Sequence, residues 1–326
     1  MNQLCKRFGG LLLLAVILLS ACGQLPEKPR GSADEAVYTF TDSSGAEISL
    51  QQRPETVAVL FSSYAEIWNL AGGTVSVTVG ESVERGFSPE GTTLVDSGAG
   101  KTIDLERLLA AKPDFVIGSA DIEAQAEACR ILAGAGVPSA LFRVDTLEDY
   151  LSMLKICTDI TGNEAAYAAY GEAVREAAGS VLGAVDRYLS ENSEKRTYLF
   201  IRAGSQYSST KAKRAPENFV CTMLDELGGS NIADEAAVLM DGLSLEEILR
   251  QDPDHIFLTA MGSESAAQSY VEELFRQDGW RSLSAVRNGN YTFLSKDMFH
   301  YKPNAQWGEA YALLAELLYP ELKLNA

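Results

Sequence analysis

The sequence predicts an α/β protein of two lobes, each with a mostly parallel sheet flanked by helices, joined by one long helix. Three observations lead to this prediction. Short apolar strands alternate with helices between residues 57 and 144, a second alternation starts at residue 197, and an alanine-rich helical segment, 164–189, lies between them. Such alternation is typical of parallel sheets that are covered by helices.

The N-terminal lobe begins with a hairpin and continues as a parallel sheet. "YTFTDSSGAEISL" (38–50) alternates around the turn sequence Asp42-Ser43-Ser44-Gly45, which is typical of a hairpin. Short apolar runs next to turn residues then predict the strands of the sheet. These runs are "VAVLF" (57–61), "VSVTVG" (75–80), the end of "LERLLAAKPDFVIGS" (105–119) and "PSALFRV" (138–144).

Two helices are predicted to connect the lobes. "TLEDYLSMLKICTDITG" (146–162) reads as a helix that stops at Gly162, and Asn163 can cap the alanine-rich helix that follows. At about 1.5 Å per residue this second helix is on the order of 40 Å long, which is enough to cross a domain. The strand "TYLFIR" (197–202) then opens the second lobe.

An internal repeat supports two similar lobes. "DLERLLAAKPDFVIGSA" (104–120) aligns without a gap with "SLEEILRQDPDHIFLTA" (244–260), and six of the seventeen positions are identical. Chance can produce one such match, because helix-turn-strand units share a composition. Since each segment lies at the same stage of its half of the chain, a duplicated lobe explains the match better.

The first residues have the pattern of a secretory signal. Lys6 and Arg7 precede an apolar run, 11–19, which is too short to span a membrane comfortably. The run ends in Leu19-Ser20-Ala21-Cys22, which looks like the lipobox where bacterial lipoproteins are cut and diacylated on the cysteine. The alternative is a plain signal peptide followed by a chance cysteine.

These observations predict five regions. Residues 1–21 are the signal peptide, 22–36 the lipidated Cys22 and a flexible tether, 37–145 the N-terminal lobe, 146–192 the linking helices, and 193–326 the C-terminal lobe. The protein is then held on the extracytoplasmic face of the cell membrane by its lipid anchor only.

The composition argues against nucleic acid as a partner and against a disulfide framework. A formal net charge of −18 argues against nucleic acid, which proteins bind by neutralising phosphates with Lys and Arg. Cys129, Cys157 and Cys221 have neither the even number nor the spacing of a disulfide framework, so free buried thiols are expected.

Candidate ligand-binding residues follow the predicted strands, because ligands of open parallel sheets bind at the carboxyl ends of the strands. Four stretches in such positions supply side chains suited to contact with a ligand. Their residues are Ser63 and Tyr64, Arg85 and Phe87, Arg202 and Tyr207, and Met298, His300 and Tyr301.

A cationic stretch stands out in this acidic chain. Lys211, Lys213 and Arg214 precede Pro216, which suits the first turn of a helix running to about Leu227. Cations in front of a helix N-terminus favour an anionic ligand. The alternative is a solvated loop whose charges balance acidic neighbours.

The stretch "KDMFHYKP" (296–303) has two interpretations, and enzyme motifs are lacking. Met298, His300 and Tyr301 are all able to ligate haem iron, but aromatic side chains also simply line pockets for bulky ligands. The sequence has no GxSxG, Walker or HExxH motif. It therefore favours a binding protein without turnover and without a permanently bound cofactor, and disfavours a metal site built on several imidazoles.

The order of these features resembles one family over nearly all of the chain after Cys22. The lipobox, the hairpin, the repeat, the linking helix and the closing "GWRSLSAVRNGNYTFLS…KPNAQWGEAYALLAELLYPEL" resemble the substrate-binding proteins of ABC transporters for iron complexes and cobalamin. The resemblance implies a monomer that captures its ligand between the lobes and delivers it to a membrane permease driven by an ATPase. It also implies that Glu106 and Glu246, which share a register in the repeat, dock on the permease; the alternative is that the helix dipole favours glutamate at these positions.

The resemblance leaves three ligands open. An anionic ferric siderophore suits the cations and aromatic residues, and haem suits the same cations with Tyr207, Met298, His300 or Tyr301 on the iron. Cobalamin needs mostly aromatic and polar contacts. A hypothesis of another class is a surface-anchored, chelatase-like enzyme on a similar two-lobed fold. The residues that fit a siderophore are Arg85, Arg202, Tyr207, Lys211, Lys213 and Arg214.

Overall fold

Two β-sheets form the frame of the protein, a parallel one in the first lobe and a mostly parallel one in the second. They belong to a computed structural model in which residues 38–192, 195–236, 239 and 243–324 are described. The predicted signal peptide and the tether with Cys22 lie outside the described residues. The fold class is as predicted from the sequence.

The N-terminal lobe contains the predicted hairpin and a five-stranded parallel sheet. The hairpin pairs β1 (Tyr38–Thr41) with β2 (Glu47–Leu50). The sheet has the order β5-β4-β3-β6-β7, so the carboxyl ends of its strands share one edge. Its strands are β3 (Val57–Val59), β4 (Val75–Val79), β5 (Thr93–Asp96), β6 (Phe115–Ser119) and β7 (Ser139–Phe142), and its helices are α1 (Ser62–Leu70), α2 (Gly80–Glu84), α3 (Leu105–Ala110) and α4 (Glu123–Gly134).

The linking segment contains α5 and a long helix. A capping box of Thr146 and Asp149 starts α5 (Leu147–Thr161), and Gly162 ends it with φ of 69°. The long helix consists of α6 (Glu164–Tyr167), a π-helical turn (Ala168–Glu172) and α7 (Ala173–Asn192). The hydroxyl of Tyr150 donates to the carbonyl of Tyr170 at 2.7 Å, so a side chain satisfies a backbone carbonyl inside the π-turn.

The C-terminal lobe repeats the parallel arrangement. Its sheet has the order β10-β8-β11-β12, and the short β9 pairs antiparallel with β8. The strands are β8 (Thr197–Ala203), β9 (Lys211–Ala212), β10 (Ser230–Asn231), β11 (His255–Ala260) and β12 (Tyr291–Leu294). The helices are α8 (Phe219–Glu226), α9 (Ile232–Glu235), α10 (Leu245–Gln251), α11 (Glu264–Arg276), α12 (Asp278–Ser282), α13 (Ser284–Asn288), α14 (Lys296–Phe299) and α15 (Trp307–Leu318).

The largest hydrophobic core runs through both lobes. It includes Phe115 under the first sheet, Tyr150 on α5, Val181 on α7, Trp307 on α15 and Tyr198 under the second sheet. A shared core of this kind resists separation of the lobes, because opening it would expose large apolar side chains to water. The cavity described below is therefore formed by two lobes that are fixed to each other through their linking helices.

Among the described residues, three cysteines are free and buried: Cys129, Cys157 and Cys221. Burial raises the pKa of the Cys129 thiol to about 12, which keeps it protonated and unreactive at neutral pH. Within the described ranges, no helix combines the length and the apolar character that crossing a bilayer requires.

Candidate functional site

A cavity of about 480 Å³ lies where the carboxyl ends of strands from both lobes face each other. The N-terminal lobe contributes residues that follow β3, β6 and β7, and the C-terminal lobe contributes the end of β8, the start of α8 and the segment after α14. The lining residues are Phe61, Tyr64, Ser119, Asp121, Ile122, Arg143 and Asp145 from the first lobe, and Arg202, Ala215, Pro216, Glu217, Asn218, Phe219, His300 and Lys302 from the second.

The carboxylates that line the cavity all have cationic partners within the protein. The Nε of Arg143 donates to Oδ1 of Asp121 at 2.6 Å, and the Nζ of Lys302 donates to Oδ1 of Asp145 at 2.9 Å across the two lobes. The carboxylate of Glu217 is paired in the same way with Arg214, whose Nη2 lies 3.6 Å from its Oε1. These three pairs leave little net charge of their own in the cavity.

Arg202 is different from the other cations of the lining. Its Nη2 lies 3.4 Å from Nδ1 of His300, and no carboxylate in the described part of the chain acts on its charge. Burial lowers the pKa of Arg202, since a charged group loses hydration when it leaves water. The cavity therefore contains a half-buried positive charge that no carboxylate among the described residues neutralises.

His300 is a neutral imidazole at physiological pH. Burial comes first among the causes that lower its pKa to about 4, and the positive charges of Arg202 and Lys296 add to it. The sequence expectation placed His300 among the ligand-binding residues, and the structure places its side chain in the cavity wall.

Tyr64 lines the cavity, whereas Ser63 does not. The hydroxyl of Tyr64 donates to the carbonyl of Phe142 at 3.0 Å, and burial raises its pKa well above the usual value. The Oγ of Ser63 accepts from the backbone N–H of Lys302 at 3.3 Å, and this bond joins the two lobes. The hydroxyl of Tyr64 therefore already has a hydrogen-bond partner within the first lobe.

Arg85, Phe87 and Tyr301 form a stack beside the cavity. The guanidinium carbon of Arg85 lies 3.9 Å from the ring centroid of Tyr301 and 4.6 Å from that of Phe87, so both rings contact the cation. Its Nη2 also lies 3.5 Å from Oε2 of Glu66. These three predicted ligand contacts have partners inside the protein and are not among the lining residues.

Beside this stack, the buried Asn304 joins the second lobe to the first by hydrogen bonds. The Nδ2 of Asn304 donates to the carbonyl of Ser63 at 2.9 Å and to Oε2 of Glu66 at 2.8 Å. Its φ of 52° lies in the left-handed region, which asparagine tolerates better than most residues. Nothing in the local sequence "KPNAQ" indicated this contact between lobes.

The helix predicted to begin at Pro216 begins later, so that expectation was wrong. Pro216 lies in a 3-10 turn, Ala215–Glu217, and α8 starts at Phe219, where the Asn218 side chain accepts from the N–H of Val220 at 2.9 Å. The extended backbone of Asn218, with φ of −158°, separates the two elements.

The cationic stretch itself lies before the lining segment. Lys211 belongs to β9 as the register partner of Arg202, the N–H of Lys213 donates to the carbonyl of Phe200, and Arg214 pairs with Glu217. None of the three is among the residues that line the cavity in the described structure. Tyr207 is exposed on the turn before β9, and Met298 packs against the shared core.

Sequence reasoning missed more than half of the lining. Asp121, Arg143 and Asp145 directly follow β6 and β7, so the rule applied to the other strands would have found them. Lys302 lies inside the stretch "KDMFHYKP", but the residues expected from the sequence do not include it. The described residues contain no group of three or more His, Cys, Asp or Glu side chains suited to a metal ion.

Glu106 and Glu246 occupy equivalent surface positions on the two lobes. Each is the second residue of its helix, α3 or α10, and is exposed, and neither forms an ion pair in the described structure. Three positions further on, Leu109 and Leu249 leave 46% and 39% of their surface exposed. Each lobe therefore presents the same pair of an acidic and an apolar side chain.

Comparison with known proteins gives one family and a set of similar folds. The family described as periplasmic binding protein matches residues 57–298, whereas no curated protein matches the sequence. Staphylococcus aureus SirA complexed with staphyloferrin B has a TM-score of 0.63 at 15% identity, with 87% of this chain and 98% of that chain covered.

Two further solved structures are similar to the same extent. The TroA-like periplasmic binding protein FepB from Veillonella parvula has a TM-score of 0.68 at 17% identity, with 88% and 92% of the two chains covered. A periplasmic heme binding protein from Pseudomonas aeruginosa has a TM-score of 0.63 at 21% identity, with 83% and 94% covered. At these identities the likeness concerns the fold.

Proposed function

This chain belongs to the periplasmic binding protein family, and we propose that it captures an anionic iron complex, a ferric siderophore, for an ABC importer. Members of the family bind solutes outside the cytoplasm. The observation that supports this ligand most directly is the unpaired charge of Arg202 in the cavity between the lobes.

The charge balance of the cavity supports an anion. A buried cation without a partner is costly, and an incoming anion repays that cost where a neutral ligand does not. Phe61, Tyr64 and Phe219 supply apolar wall around this charge. A ferric siderophore combines both requirements, because its organic shell is bulky and its iron-binding oxygens are anionic.

Haem is the second candidate, because it is bulky and also carries anionic groups. The propionates of haem are anions that Arg202 can pair with. The other iron ligands considered from the sequence were Tyr207, Met298 and Tyr301. Tyr207 is exposed on the turn before β9, Met298 packs against the core, and Arg85 covers the ring of Tyr301.

Delivery is proposed to use the membrane permease and its ATPase. The acidic and apolar pairs at Glu106 and Glu246 suit a partner that offers a cation beside an apolar contact at two equivalent places. Attachment of Cys22 to lipid would hold the monomeric protein on the extracytoplasmic face of the cell membrane, near that permease.

The test is the thermal unfolding midpoint of the chain from residue 23 onward, without lipid. The ligands are ferric catecholate, hydroxamate and carboxylate siderophores, hemin and cobalamin. A ligand at 100 times its dissociation constant adds about 2.7 kcal/mol of stability, which raises the midpoint by several degrees.

A rise with a ferric siderophore that is lost in Arg202→Gln supports the proposal. A rise with hemin alone favours the second candidate. No rise with any of these compounds contradicts the iron-complex assignment.

A further inference from the structure

We infer that the Nε2–H of His300 donates a hydrogen bond to an anionic oxygen of the ligand and does not ligate iron, and that Arg202 holds the imidazole in this tautomer through its contact with Nδ1. This inference rests on the proposed function only in that the ligand enters this cavity. It assigns His300 a role opposite to that of an iron ligand, which offers a lone pair.

The contact with Arg202 determines which nitrogen of His300 carries the imidazole proton. A guanidinium can only donate hydrogen bonds, so the contact of 3.4 Å between Nη2 of Arg202 and Nδ1 of His300 requires Nδ1 to accept. In a neutral imidazole the nitrogen that does not accept carries the proton. The geometry therefore fixes the Nε2–H tautomer.

The surroundings of Nε2 determine which partner its N–H can reach. No hydrogen bond to Nε2 of His300 forms among the described residues, and this atom is not one of the buried polar atoms that lack a partner. It is therefore open to solvent. Because the side chain lines the cavity, a ligand is the partner that the N–H can meet.

The charges around the imidazole also favour an anionic ligand. The carboxylates of the lining are paired with Arg143, Lys302 and Arg214, so none of them competes for Arg202. The positive charge of Arg202 and the N–H on the far edge of the His300 ring together suit a ligand with several anionic oxygens, such as a ferric carboxylate, catecholate or hydroxamate. Neither group offers a lone pair to a bound iron ion.

Iron ligation by His300 would require the opposite tautomer. The proton would move to Nδ1, and Nδ1–H would then face the N–H groups of Arg202 at the same short distance. That arrangement loses one hydrogen bond and sets two donors against each other. A hemin complex of this protein would accordingly leave its iron without His300.

The tautomer can be measured without any ligand. The chain has only two histidines, so the imidazole ¹⁵N–¹H correlation spectrum of the labelled protein is assigned by comparison with His255→Gln. We expect the spectrum at pH 7 to show the Nε2–H pattern for His300. The Nδ1–H pattern would overturn the inference, whether or not the proposed function is correct.

The donor role is measured with ferric citrate, a ferric tris-catecholate and hemin as probes. Glutamine can place an amide N–H near the position of Nε2, whereas alanine cannot. For a probe that binds the wild type, we expect His300→Ala to lower the affinity about tenfold, or 1.4 kcal/mol, and His300→Gln to stay within about threefold.

Equal losses in the two variants would overturn the donor role. A hemin spectrum that changes its iron ligand field in both variants would overturn the exclusion of iron ligation. If none of the probes binds the wild type, the proposed function fails together with the ligand part of this inference, and the tautomer still decides the geometric part.

Discussion

Arg202 has opposite effects on stability and on binding. A half-buried guanidinium without a carboxylate partner destabilises the empty protein, because the loss of hydration is not compensated. The same charge is available to an anionic ligand. The residue therefore favours the bound state over the empty one in two ways. Its charge attracts the anionic ligand, and the loss of hydration around that charge destabilises the protein when no ligand is bound.

Arg202→Gln is predicted to separate these effects. We expect the unfolding free energy of the empty protein to rise by roughly 1 kcal/mol, since a buried charge is removed. The affinity for an anionic ligand should fall tenfold or more. Denaturant unfolding and a ligand titration measure the two quantities.

The matched control is Arg143→Gln, another cation of the lining. Its guanidinium is paired with Asp121 and exposed, so we expect no gain in stability. An equal gain in both variants would show that the unpaired state of Arg202 is not the cause.

His255 is predicted to make stability depend on pH in the acid range. It is buried, its ring stacks on Phe257 with centroids 4.1 Å apart, and burial lowers its pKa to about 4. The unfolded chain binds a proton near pH 6.5 and the folded protein only near pH 4. Stability from this group is therefore present above pH 6.5 and lost as the pH falls from 6.5 to 4, by about 3 kcal/mol in all.

The measurement is the unfolding free energy at pH 7 and at pH 4.5 in the wild type and in His255→Gln. We expect a smaller loss on acidification in the variant. An identical loss in both proteins would mean that carboxylates alone cause the acid sensitivity.

The start of α8 links helix stability to the cavity. Asn218 caps the helix and also lines the cavity, with Glu217 and Phe219 on either side. Asn218→Ala is predicted to lower stability by about 1 kcal/mol and to weaken ligand binding as well, because the lost cap loosens the lining segment.

Asn163 provides the matched control for this prediction. It caps α6 in the same way, by accepting from the N–H of Ala166 at 3.2 Å, but it does not line the cavity. Asn163→Ala should cost a similar free energy of unfolding and leave the affinity unchanged. Calorimetry measures the stability of both variants, and ligand titration measures their affinity. Unchanged affinity in Asn218→Ala would contradict the coupling between the cap of α8 and ligand binding.

The elements were predicted better than the contacts between them. Alternation and turn residues indicated most strands and the long helix, because these depend on the local sequence. An unusual composition marked Lys211, Lys213 and Arg214 as candidates, but none of them lines the cavity. The short loop after β6 has an ordinary composition, and its Asp121 does line the cavity.

The pairing of charges required the folded chain. Lys302 and Asp145 are 157 positions apart and meet across the lobes. No local pattern marks either residue as a partner of the other. The sequence thus indicated Arg202 by its place at a strand end, but not that its charge is the one left unpaired.

The molecule as a whole presents two equivalent surface pairs, and the prediction for them concerns transport. In Glu106→Gln/Glu246→Gln we expect uptake of the iron complex by cells to fall about tenfold, while binding in solution stays unchanged. The physical reason is the loss of two exposed charges that have no partner within the described structure.

Glu164→Gln/Glu264→Gln is the control, because these glutamates are also exposed in the first turn of a helix. Uptake should be unaffected in this variant. Weakened solution binding in Glu106→Gln/Glu246→Gln would show that the two residues serve the cavity instead of a partner surface.

The π-turn marks the place where one residue can be deleted from the long helix without rotating its buried face out of the core. Ala166 and Val174 are both buried although they are eight positions apart, which would place them about 80° apart around a regular α-helix. The turn takes up one extra residue, so the two side chains share a face. Deleting one residue within 168–172 therefore leaves a regular helix in phase, at the loss of the hydrogen bond from Tyr150. The same deletion after Val174 would turn Ala178, Val181 and Val185 out of the core, so length variants of this protein are expected to tolerate a missing residue at the turn and not beyond it.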